Sequence, residues 1–373
     1  MTVRDLRIDF FRGLALCMVL VDHIASDPLT RFTYQGLGFS DAAEIFVYVS
    51  GLACGLVYSS LLERRGWGAF MGVLGARAVR IYFYYAVSSA AMIFLINATA
   101  HIWGIDFRID DDMPGIPKHT NPVMAMWLAL SLISPPDLSC ILVFYVAMTL
   151  VAVPILMAGF RHNAAATLAA SALVWGLCQS FLGSLLSLEG YWFINPFAWQ
   201  FLFAIGMFFG TRRESTLPYL QPSIVAMAWA IVVAAFLYKF VTRVAPHLGF
   251  DVGWLTISQP TLAEMKMDLS PLRLIHFLSV ALLVARYLEA TSTLLQWRVF
   301  APVLQIGARS LEIYALTVVL SVVAGIVVTI YHPSLQGKVL MDVVFFALMA
   351  LTANILLRSR KRAADKRVGF FRG

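Results

Sequence analysis

The sequence predicts an all-α, polytopic membrane protein, and two observations carry that class. Of its 373 residues, 60% are hydrophobic and only 13% charged, with a mean hydropathy of +0.79, far from the balance of a soluble globular chain. Apolar stretches close to the length a helix needs to cross ~30 Å of hydrocarbon also recur along the chain. About ten are visible, at residues 10–26, 42–62, 79–100, 138–158, 164–186, 197–210, 223–242, 272–290, 310–331 and 339–357. The first and sixth are short, which is tolerable only where protein neighbours shield their ends.

Positive charge sets the expected orientation, because cytoplasmic loops carry an excess of Lys and Arg. With the N-terminus placed inside, most of the 28 lysines and arginines fall at inward ends, among them Arg7, Arg64, Arg65, Arg161, Arg212, Arg286, Arg298 and Arg309. That predicts about ten transmembrane helices with both termini cytoplasmic. Residues 1–357 form a single integral-membrane domain and residues 358–373 a basic cytoplasmic tail. The tail segment RSRKRAADKR reads as solvated or bound to lipid headgroups, so the net charge of +7 points to the membrane and not to nucleic acid. The N-terminus resembles a signal peptide, but the spans that follow favour an uncleaved first helix.

The outward loop 101–137 holds the run Asp110, Asp111, Asp112 and several prolines, and reads as a polar, turn-rich cap. The run lacks the alternating spacing and the glycine of a calcium loop, so no metal site is expected. Cys17, Cys54, Cys140 and Cys178 lie in apolar runs without ligand spacing and read as small buried hydrophobes. No internal repeat is visible.

Charged groups inside the apolar stretches are the candidate functional residues. In FFRGLALCMVLVDHIASD, Arg12 and His23 lie eleven positions apart, which places both on one helix face about 16 Å apart along the axis. The next stretch, GFSDAAEIFVYVSG, opens with Ser40 and Asp41 as capping residues and Glu44 one turn on. Either acid would hold one ring nitrogen of His23 and leave the other as a base. Ser50, Gly51 and Gly55 favour close helix packing. In GARAVRIYFYY, Arg77 and Arg80 share a face, where with Arg12 they would suit phosphates or a carboxylate; headgroup anchoring is the competing reading.

Four blocks carry a resemblance: RIDFFRGLALCMVLVDH, GFSDAAEIFVYVSG, INPFAWQFLFAIG and KMDLSPLRLIHF. Together they resemble the bacterial periplasmic glucan succinyltransferase family, OpgC, through most of the chain. The arginine, ten-residue gap and histidine from Arg12 to His23 are similar to the signature of the wider transmembrane acyltransferase superfamily. The resemblance implies a ten-helix enzyme of the bacterial inner membrane that moves an acyl group from cytoplasmic acyl-CoA to a periplasmic glucan hydroxyl. His23 matches the signature base and Arg12 the signature arginine.

On that reading Arg12, Arg77 and Arg80 hold the CoA nucleotide while the pantetheine arm spans the rise to His23. His23 takes the hydroxyl proton, with Asp41 or Glu44 stabilising the imidazolium. Direct transfer and a transient acyl-histidine both fit. A succinyl carboxylate needs a cation, for which Arg273, with His276 on the same face, is the first candidate and Lys266 the second; pairing of Arg273 with Asp268 or a headgroup competes. Asn195, Trp199 and Gln200 offer a stacking surface and amides for the glucan, or a membrane-interface belt. Acyl-CoA is a co-substrate, and no other cofactor is expected. The alternatives are an O-acetyltransferase of another envelope polysaccharide and a transporter or flippase for a glycan or lipid-linked sugar. No feature of the sequence fixes an oligomeric state.

Overall fold

A computed structural model describes residues 5–104, 121–180, 192–212, 221–289 and 292–370. Among these residues there is helix and no strand. The principal helices are α1 (Leu6–Asp22), α2 (Ala42–Trp103), α3 (Pro122–Leu130), α4 (Asp137–Ala147), α5 (Val153–Cys178), α6 (Pro196–Arg212), α7 (Pro222–Val244), α8 (Gln259–Met267), α9 (Pro271–Tyr287), α10 (Ala301–Ala308), α11 (Ser310–Tyr331) and α12 (Leu335–Phe370). The chain forms two compact units. One holds Met1–Thr30 and Leu288–Gly373, the other Arg31–Tyr287.

Two long helices fold back on themselves. Residues 58 and 77 would lie ~28 Å apart on a straight helix, yet Arg77 Nη1 donates to the Tyr58 hydroxyl at 3.2 Å. The reversal is at Gly66, whose φ of 71° an L side chain rarely adopts. In α5 the break is at Asn163, where φ is −152° and ψ 101°. Its side chain accepts from the Ala166 N–H at 3.0 Å and so starts a new helix.

All ten expected segments are helical over most of their described length. Among the described residues, five helices are long and apolar enough to cross a membrane, or six if the bent pair Thr261–Met267 and Pro271–Tyr287 is one span. The difference from ten lies partly in the two folded-back stretches, Ala42–Trp103 and Leu138–Cys178, each of which takes in most of two expected segments. It also reflects α1 and α6, which have 17 residues each. One expectation is corrected. The 101–137 loop contains the helix α3, because Asn121 caps it by accepting from Met124 N–H at 2.7 Å, Pro122 sits in its first turn and the apolar run VMAMWLAL follows. The Asp110 to Asp112 run lies outside the described residues.

In the larger unit the tightest crossing is α2 on α6. A Cβ on Gly51 or Gly55 would collide with the α6 backbone at Phe203, Met207 and Gly210. One on Gly206 or Gly210 would collide with Tyr48 and Leu52 of α2. The glycines thus let two backbones touch, as expected for Gly51 and Gly55. In the smaller unit Gly13 of α1 and Gly307 of α10 do the same, against Val303 and Asp9. Arg7 ties this unit further, with Nη1 donating to the Leu288 carbonyl at 3.0 Å and Nη2 paired with Asp5 at 2.7 Å. The four cysteines form no disulfide, and Cys54, Cys140 and Cys178 are buried.

Candidate functional site

In the larger unit a sharp corner organises the site. α8 ends at Met267 and α9 starts at Pro271, with an angle of 64° between them and Leu269 held at a φ of 49°. Such a conformation persists only where neighbours impose it. Four side chains do so, three by donating to the corner's carbonyls and one through the Asp268 carboxylate. Trp199 Nε1 reaches Lys266 and Met267 at 3.0 Å, Gln179 reaches Asp268 at 2.7 Å, and Trp175 reaches Leu269 at 2.9 Å. Asn195 Nδ2 donates to the Asp268 carboxylate at 2.7 Å, while its Oδ1 caps α6 through the Phe197 N–H. Trp199 is fully buried and Asn195 nearly so. Both are therefore packed inside the fold as supports of the corner. Gln200 is bonded to Ser171, which donates to it at 2.6 Å.

The corner delivers Lys266, Arg273 and His276 to the start of α2. Asp41 caps α2 by accepting from the Ala43 N–H at 2.8 Å, and Glu44 reaches back to the Asp41 N–H at 2.9 Å, completing a capping box. The same carboxylates hold the cations. Arg273 Nε and Nη2 both lie 2.7 Å from Glu44 Oε1, Nη2 is 3.0 Å from Asp41, and Lys266 Nζ is 2.9 Å from Asp41. Glu44 is fully buried and Arg273 is 7% exposed, so neutrality matters here. Two acids and two cations balance, which makes four charges tolerable away from water. Burial opposes ionisation of Asp41, but Lys266 and Arg273 outweigh it and hold its carboxyl below the usual range.

His276 completes the cluster. Its Nδ1 lies 2.6 Å from Ser40 Oγ, and its ring stacks on Tyr34 at 5.6 Å. A Cβ at Gly38 would run into this imidazole, which explains the glycine. Arg243 of α7 fixes the segment carrying Tyr34 by donating to the carbonyls of Arg31 and Gly36. From the same helix Lys239 brings a further cation within electrostatic reach of Arg273 and His276.

His23 belongs to the smaller unit, where it caps the C-terminus of α1 and is exposed. Its Nδ1 lies 2.6 Å from the Val19 carbonyl. A carbonyl only accepts, so Nδ1 carries the hydrogen and Nε2 is the basic nitrogen. The expected carboxylate partner is thus replaced at Nδ1 by the backbone, while Asp41 and Glu44 hold Arg273 and Lys266. Arg12 is half-buried on the same unbroken helix. Arg77 is half-buried, with its guanidinium 5.8 Å above the Tyr58 ring, and Arg80 is exposed. Arg309 and Glu312 pair at 3.4 Å, three positions apart at the start of α11.

Sequence reasoning missed Ser40 as the partner of His276, the Lys266 pair with Asp41, and Lys239. The first two contacts join positions more than 200 residues apart, and no local pattern carries them. Lys239 gave a signal that went unread, a cation inside an apolar run.

An apolar chain, helical throughout its described core with buried acids and cations paired among the helices, fits a helical membrane protein. The chain matches the OpgC protein family over residues 4–361 and belongs to that family. No curated protein and no solved structure gives a match. Membership suggests an acyltransferase engaged in OpgC-type modification of a glucan.

Proposed function

We propose that this protein moves a succinyl group from cytoplasmic succinyl-CoA to hydroxyls of a periplasmic glucan, with His23 as general base, in the bacterial inner membrane. The observation that carries this reading is the 2.6 Å contact between His23 Nδ1 and the Val19 carbonyl. The Val19 carbonyl holds Nδ1–H, which makes Nε2 the basic nitrogen of the ring, on the helix that also carries Arg12. His23 Nε2 takes the proton of a glucose hydroxyl as that oxygen attacks the thioester carbonyl. The C–S bond breaks, and the departing thiolate receives the proton from the imidazolium, so no net proton is consumed. Arg77 and Arg80 carry the phosphates of the CoA nucleotide, and Arg12 supplies a cation for the donor about three turns before His23 on α1.

The acid pair has a different part in this reading from the one its sequence suggests. Asp41 and Glu44 fix the Arg273 guanidinium through Nε and Nη2, leaving Nη1 for an incoming anion. The succinyl carboxylate is assigned to Arg273 Nη1 and Lys239, with His276 and Lys266 at its margin. Asn195, Trp199 and Gln200 then serve the acceptor side by holding this corner in place.

Purified protein given succinyl-CoA should release CoA thiol when glucan is added, and the glucan should gain negative charge. His23→Ala should abolish both while leaving the protein folded. Retained transfer would remove His23 as the base, and succinyl-CoA left intact in the presence of glucan would favour the transporter reading.

A further inference from the structure

The smaller unit contains a second set of buried charges. Asp342, in the apolar run KVLMDVVFF of α12, is fully buried, and neither of its carboxylate oxygens has a hydrogen-bond donor. Asp27 lies within hydrogen-bonding reach of it and is 5% exposed. One oxygen of Asp27 accepts from the Leu29 N–H at 2.7 Å, while the other is buried and lacks a donor. Two ionised carboxylates cannot share such a site, because each repels the other and no donor offsets the lost hydration.

One turn before Asp342 on the same face, Lys338 is also buried. Its ammonium does not pair with the acids. It donates to the carbonyls of Ala25 at 2.7 Å and Ser26 at 3.1 Å. Ser26 has a φ of 54°, the left-handed region that a non-glycine residue rarely occupies. α12 therefore grips the turn immediately after His23 twice, at the carbonyls of residues 25 and 26 and at the side chain of residue 27. A strained turn held from two points beside a candidate base is a positioning device.

We infer that Asp27 and Asp342 share one proton and, with Lys338, clamp the turn at residues 24–27 so that His23 keeps its working position. The inference rests on the reading of His23 as the base. A single O–H···O bond satisfies both buried acids and leaves the pair with one negative charge. A metal ion would need more ligands, and among the described residues no third His, Cys, Asp or Glu joins the pair. The ionisable groups closest along the chain to this pair are Lys338 on α12, Asp22 and His23 at the end of α1, Arg31 in the short helix after Asp27, and Tyr331 and His332 where α11 ends. Glu312 and Tyr314 lie at the opposite end of α11, and α10 has none.

The sign follows from the chemistry. Raising the pH removes the shared proton, two like charges then face each other, and the turn loosens, so transfer falls on the alkaline side. Asp342→Asn supplies a donor that cannot titrate and should remove that alkaline fall while keeping near wild-type transfer. Asp342→Ala should lower kcat by at least ~10-fold, within the range that misplacing a catalytic group costs, with the KM for succinyl-CoA unchanged. Should Asp342→Asn fail to fold, Asp27→Asn tests the same bond from the other side. In the full-length protein, the infrared difference spectrum should contain a protonated-carboxyl band that either Asn variant abolishes. An unaltered pH profile in a folded Asn variant, or the absence of that band in wild type, would overturn the shared proton. A band that persists alongside an active His23→Ala variant would instead keep the pair and discard the reading of His23.

Discussion

At the residue scale, Glu44 does two jobs with one carboxylate. It closes the capping box on Asp41 and holds both Nε and Nη2 of Arg273. Glu44→Ala would leave a guanidinium buried beside a single acid. Breaking a buried pair from one side costs about 3–5 kcal/mol, so the expected result is a large loss of thermal stability in detergent, with Glu44→Gln intermediate. Arg273→Lys keeps the charge but removes the planar fork. It should lower kcat/KM for succinyl-CoA about tenfold relative to acetyl-CoA, the equivalent of one charge-assisted hydrogen bond. Equal losses for both donors would show that Arg273 does not read the carboxylate. Individual residues were legible where local chemistry betrayed them. Asp41 and Glu44 stand at cap spacing before an apolar run, and Arg273 and His276 stand on one helical face. Their partners were not legible, because the contact from Glu44 to Arg273 spans 229 positions.

At the element scale, the α2–α6 crossing depends on absent side chains. Gly51 and Gly55 face Gly206 and Gly210 in reciprocal contact with the opposite backbone. Gly206→Leu would drive a branched side chain into the Tyr48 and Leu52 backbone. Overpacking of this kind costs typically ~1–3 kcal/mol, and here backbone leaves little room to give. The expected outcome is lower yield of folded protein and a reduced melting temperature, whereas Gly176→Ala, which meets nothing nearby, should be neutral by the same measurement. Helix positions were legible because long apolar runs have only one backbone-satisfying solution in hydrocarbon. The reversals at Gly66 and Asn163 were less so, since each is made by a single residue's conformation. The 64° corner was invisible: Leu269 carries no turn signature, and its strain is imposed by Trp175, Gln179, Asn195 and Trp199 from other helices.

At the scale of the whole molecule, the charge pattern and the cluster make the same demand on topology. In the larger unit the starts of α2, α6 and α9 meet at one place, since Asp41 pairs with Lys266 and Arg273 while Asn195 bonds Asp268. An arrangement of ten crossings puts an even number of spans between each of these starts, so it requires them to share a side. Tyr58 and Arg77 meet at the opposite end of the first two spans of this unit, next to the basic residues Arg64 and Arg65. Reporter fusions test the arrangement directly. Fusions after Arg65, Arg161, Arg212, Arg298 and Arg360 should be active as cytoplasmic reporters, and fusions after Ser134, Trp254 and Ser334 as external ones. A chain with only the five or six most apolar crossings would invert several of these, most clearly at Arg161, because treating Leu138–Cys178 as one span moves the point of reversal into the membrane. A cytoplasmic readout at Arg161 with an external one at Ser134 would require the break at Asn163 to be a true turn between two spans. The opposite pair of readouts would end the ten-span arrangement and, with it, the placement of donor and acceptor on opposite sides.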